Sequence, residues 1–277
     1  MSEGINSFFI INDEEKNIEA FDDNLVLSGK SLYEVIRVIN GVPLFLENHL
    51  QRLFNSAEIT NLKIDYSFED IKAVIIKLIE INKVNEGNIK IVFNFKENHK
   101  DDSNFYAYFV KHSYPLAEQY KIGVPVILYH GERNNPNAKV INTDFRAKVD
   151  AEIAENNVFE AILVDRDGNI TEGSKSNIFM VKGNQVITAP LEAVLPGITR
   201  EVIIDLCREL EIEVKEEKIH FENIKELEGL FISGTSPKVL PICKVDNIGF
   251  DSSANKTILS IMEAYNKRIE KYSLEND

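Results

Sequence analysis

Thr171-Glu172-Gly173-Ser174-Lys175-Ser176-Asn177-Ile178-Phe179 follows a strand-like run, Glu160-Ala-Ile-Leu-Val-Asp165, and an Arg-Asp-Gly-Asn turn. The spacing predicts a carboxylate on a glycine-bearing bend between two apolar runs, where a backbone can come close to a flat ligand. A glycine there could equally do no more than relieve a turn, so the stretch has to be weighed by its company. Upstream stands Asn137-Ala138-Lys139-Val140-Ile141-Asn142. Downstream stand Leu195-Pro196-Gly197-Ile198-Thr199-Arg200 and Phe231-Ile232-Ser233-Gly234-Thr235.

The whole chain has 277 residues, 44% of them hydrophobic, enough for a sizeable core and two domains of ordinary size. No run of about 18 apolar residues occurs, and Met1-Ser-Glu-Gly-Ile lacks the basic start of a signal peptide, so a cytoplasmic protein without membrane partners is expected. The net charge of −14 argues against a nucleic-acid surface, which needs basic patches. Cys207 and Cys243 lie in apolar runs and read as packed core rather than a disulfide or metal pair. His49, His99, His112, His130 and His220 show no metal-ligand spacing, so each is expected to be solvated or structural, with no metal bound.

Periodicity divides the chain. Runs around 8–11, 32–39, 89–95 and 105–110 read as strands, and Asn40-Gly41 supplies a hairpin. Residues 47–61 and 67–82 place Leu50, Leu53, Phe54 and Ala57, then Ile71, Val74, Ile75, Leu78 and Ile79, at helical spacing. Residues 1–112 are therefore expected to form an α+β domain with two helices on a sheet. Periodicity is lost over 113–122, which reads as an interdomain connection. From 123 to 277 helical patterns at 144–156, 199–211, 221–228 and 253–271 alternate with short strands at 160–165, 177–181, 185–189, 229–233 and 239–245.

The four site segments, in this order and at these separations, resemble the class IV aminotransferases. That pyridoxal-phosphate family includes branched-chain and D-amino-acid aminotransferases and aminodeoxychorismate lyase. Gly29-Lys-Ser-Leu-Tyr-Glu-Val-Ile-Arg-Val38, the Asn40-Gly41 turn and Glu47-Asn-His-Leu-Gln-Arg-Leu53 look like the family's N-terminal signature, so the resemblance spans nearly the whole chain. It implies a two-domain α+β fold of type IV, similar to D-amino-acid aminotransferase, with pyridoxal 5′-phosphate in the interdomain cleft. It also implies a homodimer acting on small amino and 2-oxo acids.

Residue by residue, the resemblance assigns Lys139 as the Schiff-base lysine through the Lys-x-x-Asn pattern that Asn142 completes. Lys148 is the competitor, and it falls in a helical pattern on a side that reads as solvated. Glu172 matches the carboxylate at the pyridine nitrogen, and Leu195 the apolar wall against the ring. Arg52, Ile198 and Thr199 at a helix start, and Gly234 with Thr235, match the phosphate binders, since free amides at a helix N-terminus hold anions. Tyr33 matches a wall of the substrate pocket. Thr143 stands where the family often has tyrosine or leucine.

Two departures bear on substrate. The D-amino-acid enzymes carry an Arg-x-His trap where this chain has Lys96-Glu-Asn-His-Lys-Asp-Asp102, which disfavours D-substrates and leaves the roles of Lys96 and His99 open. The lyases carry Phe-Gly-Asp-Gly where this chain has Leu27-Ser-Gly-Lys-Ser31, closer to the branched-chain group. The expectation is an aminotransferase with branched-chain-like L-amino acids favoured. An aminodeoxychorismate lyase and a non-catalytic binding module on the same fold are the alternatives.

Overall fold

The computed structural model describes residues 2–27, 29–96 and 103–276. Their contacts divide the chain into two compact units, Met1–Ser113 with Ala138–Ile141 and Ile269–Asp277, and Tyr114–Asn137 with Asn142–Arg268. The fold is mixed α+β and holds two sheets.

The first unit carries β1 (Gly4–Ile11), β2 (Glu14–Asn17), α1 (Asn24–Leu27), β3 (Lys30–Ile39), β4 (Val42–Pro43), α2 (Leu46–Thr60), α3 (Phe68–Asn82), β5 (Glu86–Phe95) and β6 (Ser103–Val110). Its antiparallel sheet runs β2-β1-β6-β5-β3-β4. Asn40 at φ 54° and Gly41 at φ 78° make the two-residue hairpin expected from their sequence. Ser67 caps α3 in a reciprocal box with Asp70. Leu32, Ile36 and Val38 of β3 and Ile89, Ile91 and Phe93 of β5 form one core with Leu50 and Leu53 of α2 and Ile75 and Leu78 of α3, all fully buried. Each contributes about 1.5–3 kcal/mol by leaving water. The opposite face carries a second apolar cluster, Phe9, Phe21, Val26, Val92, Tyr106 and Tyr108.

Because β4 pairs only with Val38 and Ile39, the first half of β3 keeps an open edge. Residues of Ala138–Ile141 fill it: the Tyr33 amide donates to the Lys139 carbonyl at 3.2 Å, the Ile141 amide donates to the Ser31 carbonyl at 3.0 Å, and Val140 bridges Leu32. A segment distant in sequence thereby becomes an extra edge of the first sheet.

The second unit carries α4 (Ala117–Ile122), β7 (Val124–His130), α5 (Thr143–Glu155), β8 (Glu160–Val164), β9 (Asn169–Gly173), β10 (Asn177–Lys182), β11 (Gln185–Thr188), α6 (Ile198–Glu209), β12 (Glu213–Glu216), β13 (Ile219–His220), β14 (Gly229–Gly234), β15 (Lys238–Val245) and β16 (Ile248–Gly249). The last helix, α7, spans Lys256–Glu275. The sheet order is β12-β11-β10-β14-β15-β7-β8-β9-β13, and an extra pairing of Glu172 with Asn177 joins β9 to β10. That pairing closes β10, β14, β15, β7, β8 and β9 into a ring around Val124, Ile162, Ile178, Met180, Ile232 and Leu240.

Local differences from the sequence reading have physical causes. Glu172 lies on strand β9, not on a bend, because the chain stays paired through Gly173 and turns only at Ser174-Lys175-Ser176. Residues 221–228 form a short 3₁₀ helix, Phe221–Glu226, too brief for a full α-helix. No helix among the described residues is long and apolar enough to cross a membrane.

The turn before β9 offers a stability test. Asp165 Oδ1 accepts from the Asp167 and Asn169 amides, and Gly168 sits at φ +82°, where a Cβ would lie 2.2 Å from His220 Nε2. Gly183 also has positive φ, +59°, but a Cβ there meets nothing within 4 Å. Gly168→Ala should cost about 1–2 kcal/mol for backbone strain alone, and more than Gly183→Ala in urea unfolding. Equal losses would show that His220 yields freely.

Candidate active site

In the first unit, Lys139 is half-buried on the segment added to β3. Its Nζ lies 4.8 Å from the centre of the Tyr33 ring. Its amide donates to Ser56 Oγ at 3.2 Å, and the Ser56 hydroxyl donates to the Arg52 carbonyl at 2.9 Å. The backbone of Lys139 is thus tied to the turn of α2 that carries Arg52.

Arg52 is 6% exposed, and Glu34 on β3 is fully buried. Arg52 Nε donates to Glu34 Oε1 and Nη2 donates to Oε2, both at 2.7 Å, a two-pronged fork. His49, one helical turn earlier on α2, places Nδ1 2.8 Å from Glu34 Oε2. Burial alone would raise the Glu34 pKa, but the Arg52 charge and the hydrogen bonds from His49 and Arg52 outweigh it and hold the group well below the usual carboxylate range. For His49, burial lowers the pKa more than Glu34 raises it, so the ring is neutral near pH 7 and donates from Nδ1. Removing one partner of such a buried pair costs about 3–5 kcal/mol.

In the second unit, Glu172 is 3% exposed, and its two oxygens accept from Arg133 Nη1 at 3.1 Å and from the Leu195 amide at 3.0 Å. Asn177, across the strand closure, donates from Nδ2 to the Leu195 carbonyl at 3.0 Å. The approach of Gly197 is as tight: a Cβ there would lie 2.0 Å from Asn177 Oδ1. Gly197 caps α6 without a side-chain oxygen, leaving the first-turn amides at Ile198 and Thr199 without a side-chain cap. Thr199 is 5% exposed and accepts from the Tyr265 hydroxyl at 3.4 Å.

Ser233 pairs in register with Asn177 and precedes Gly234-Thr235. Its hydroxyl is buried with no hydrogen-bond partner among the described residues. A buried orphan donor beside an uncapped helix start suits an anion with several acceptor oxygens. Glu160 on β8 accepts from the Ser174 hydroxyl, from Ser176 Oγ at 3.3 Å and from the Ala161 amide at 3.1 Å, pinning the turn that follows Glu172. Burial pushes its pKa up despite those donors and Arg146.

In the first unit the structure sets Lys139 beside Tyr33 and ties its backbone to the turn of Arg52; in the second it joins Glu172 to Leu195, puts Ile198 and Thr199 at the following helix start, and has Gly234 and Thr235 follow Ser233 at the end of β14. Lys148 is exposed on α5. Lys96 is exposed, and His99 lies outside the described residues. Sequence reading did not find Glu34, Ser56, Arg133 or Glu160. Glu34 had left a signal: it occupies an inward position of the alternation Leu32, Glu34, Ile36, Val38, opposite His49 and Arg52 at helical spacing.

The amino-transferase class IV family matches residues 31–245. This chain belongs to that family. Within it, the chain is 31% identical to a probable branched-chain-amino-acid aminotransferase of Rickettsia bellii over 84% of this chain and 83% of the relative. It is 27% identical to the D-alanine aminotransferase of Bacillus licheniformis over 82% of each. Among solved structures, a T.th. branched-chain amino acid aminotransferase with pyridoxamine 5′-phosphate superposes with a TM-score of 0.87 at 21% identity, covering 97% of this chain and 95% of that one. The fold is the one this family shares.

If Asn177 positions Leu195 as its geometry indicates, Gly197→Ala and Asn177→Ala remove the same contact. Each should cost about 1 kcal/mol or more for a lost buried hydrogen bond. The double variant should cost less than the sum of the two. Strict additivity in denaturant unfolding would separate Gly197 from Asn177.

Proposed function

We propose that this class IV aminotransferase uses pyridoxal 5′-phosphate to move an amino group between an amino acid and a 2-oxo acid, favours branched-chain-like L-amino acids, and works in the cytoplasm as a homodimer. The observation that carries the reading is Lys139. The Lys-x-x-Asn pattern matches it to the family's lysine, and it is half-buried, with its amine beside the Tyr33 ring and its backbone fixed on both sides.

Arg52, Thr199 and the Ile198 amide, together with Gly234 and Thr235, would hold the phosphate; Leu195 would pack on the ring and Glu172 would face its nitrogen. When bound, the cofactor supplies an aldehyde and an electron-accepting ring. Lys139 would supply the amine that meets that aldehyde, and its Nζ, when free, would be the base that holds or moves a proton. Glu172, whose two oxygens accept from Arg133 and the Leu195 amide, would present its carboxylate to the pyridine nitrogen. The phosphate contacts anchor a group that does not react, so they serve retention more than turnover.

The substrate reading is supported by the apolar setting of Tyr33, which is half-buried against the second apolar cluster of the first sheet. Tyr33 packs there against Phe9, Val92, Tyr106 and Tyr108. Lys90 of the same sheet spends its charge on Glu3 at 2.7 Å. Such a surface suits an aliphatic side chain better than an acidic one.

Incubation with L-leucine, L-glutamate, D-alanine and aminodeoxychorismate, each followed by product analysis, tests the assignment. A 2-oxo acid from L-leucine with amino transfer is expected. Pyruvate released from aminodeoxychorismate instead would make the chain a lyase, and no turnover with any of them would favour a binding module. Glu172→Gln should still bind the cofactor, yet its half-transamination should slow at least ~100-fold, the scale of a lost electrostatic contribution of a few kcal/mol. Near-normal single-turnover rates in that variant would remove Glu172 from the site.

A further inference from the structure

The buried cluster of Glu34, His49 and Arg52 has no part in the chemistry assigned above beyond the Arg52 contact to phosphate. We propose that Glu34 is a positioning residue for cofactor binding: its carboxylate forks Arg52 and sets the guanidinium for the phosphate, with His49 holding the carboxylate from its other side. The inference rests on the reading of Arg52 as a phosphate binder and adds the device that aims it.

Glu34 stands on the core-facing side of β3, between Leu32 and Ile36, all three fully buried. An apolar residue there would serve stability at least as well, since replacing a buried ionic cluster by packed apolar side chains is often neutral or stabilising. The charge is kept at a site where it makes three short hydrogen bonds, at 2.7, 2.7 and 2.8 Å. Two of them fix the Nε–Nη2 edge of Arg52 in one plane. An unconstrained arginine would give up rotamer freedom each time it met an anion; the fork removes that freedom in advance.

The anchor continues past the guanidinium. The Arg52 carbonyl accepts from Ser56, and Ser56 accepts from the Lys139 amide, so the turn that aims Arg52 also holds the reactive lysine's backbone. His49 and Arg52 are three residues apart on α2 and reach the same carboxylate, so a swing of either strips the buried Glu34 of a donor.

A competing effect has the opposite sign. Glu34 is an anion near Arg52, and by charge alone its removal would tighten phosphate binding. Glutamine keeps the volume but offers one acceptor oxygen, so it cannot take both Arg52 donors. The direction of the change therefore separates positioning from simple neutralisation.

The full chain, stripped of cofactor, is titrated with pyridoxal 5′-phosphate and with pyridoxal, and the ratio of the two dissociation constants measures phosphate selectivity. Arg52→Ala should cut that ratio about ten- to a hundredfold, the value of a charge-assisted hydrogen bond. Glu34→Gln should cut it about tenfold, leave pyridoxal binding unchanged, and add nothing in the double variant. An unchanged ratio in Arg52→Ala would overturn the phosphate role of Arg52, and the inference with it. A reduced ratio in Arg52→Ala with an unchanged or increased ratio in Glu34→Gln would overturn positioning alone. If Glu34→Gln fails to fold, the wild-type chain decides: the Arg52 Nε proton, assigned with Arg52→Lys, should exchange slowly with solvent before any cofactor is added. Free exchange would overturn the proposal.

Discussion

Two backbone hydrogen bonds and one bridge between β3 and the segment 138–141 determine where Lys139 can be. They exist because the hairpin at Asn40-Gly41 returns only two residues of β4 to β3, leaving the first half of that edge unpaired. An unpaired edge near the core must find partners. Once the segment is added, Lys139 is fixed beside Tyr33 and its amide reaches Ser56 on α2. The second sheet uses the same logic. The pairing of Glu172 with Asn177 closes a ring of strands and, in the same step, turns Glu172 towards the Leu195 amide and Asn177 towards the Leu195 carbonyl.

Buried charge is the other constraint. Glu34, Glu160 and Glu172 are each at most 4% exposed, and each is met by donors rather than left bare. The donors differ in kind. Glu34 faces a guanidinium and stays ionised, whereas Glu160 faces mainly hydroxyls and one amide, and burial raises its pKa. A direct fork from a guanidinium therefore separates Glu34, which holds a cation in place, from Glu160, which has Arg146 nearby but serves as a hydrogen-bonded peg under a turn.

Much of this was legible in the chain itself. Asn40-Gly41 requires positive φ at both positions, and the apolar spacing of α2 and α3 requires a sheet to cover. Lys139, Glu172 and Thr199 could be named because the segments around them keep a family's order. What stayed hidden was non-local. No pattern within residues 137–142 says that they pair with β3, and Glu172 read as a bend because the pairing that extends β9 comes from Asn177 and Ile162. Short elements such as β2, β13 and α4 lack the length for a period to show. Glu34 was the one missed residue whose signal lay in plain view, an acid in phase with core residues.

Everything proposed for the site depends on Lys139 being the lysine that engages the cofactor. The most direct measurement is borohydride reduction of the cofactor-loaded protein, followed by peptide mass mapping of the fixed pyridoxyl group. A single modified peptide is expected, with the mass added at Lys139. Label at the exposed Lys148, or spread over surface lysines, would contradict it and release the edge segment of β3 from any part in the chemistry.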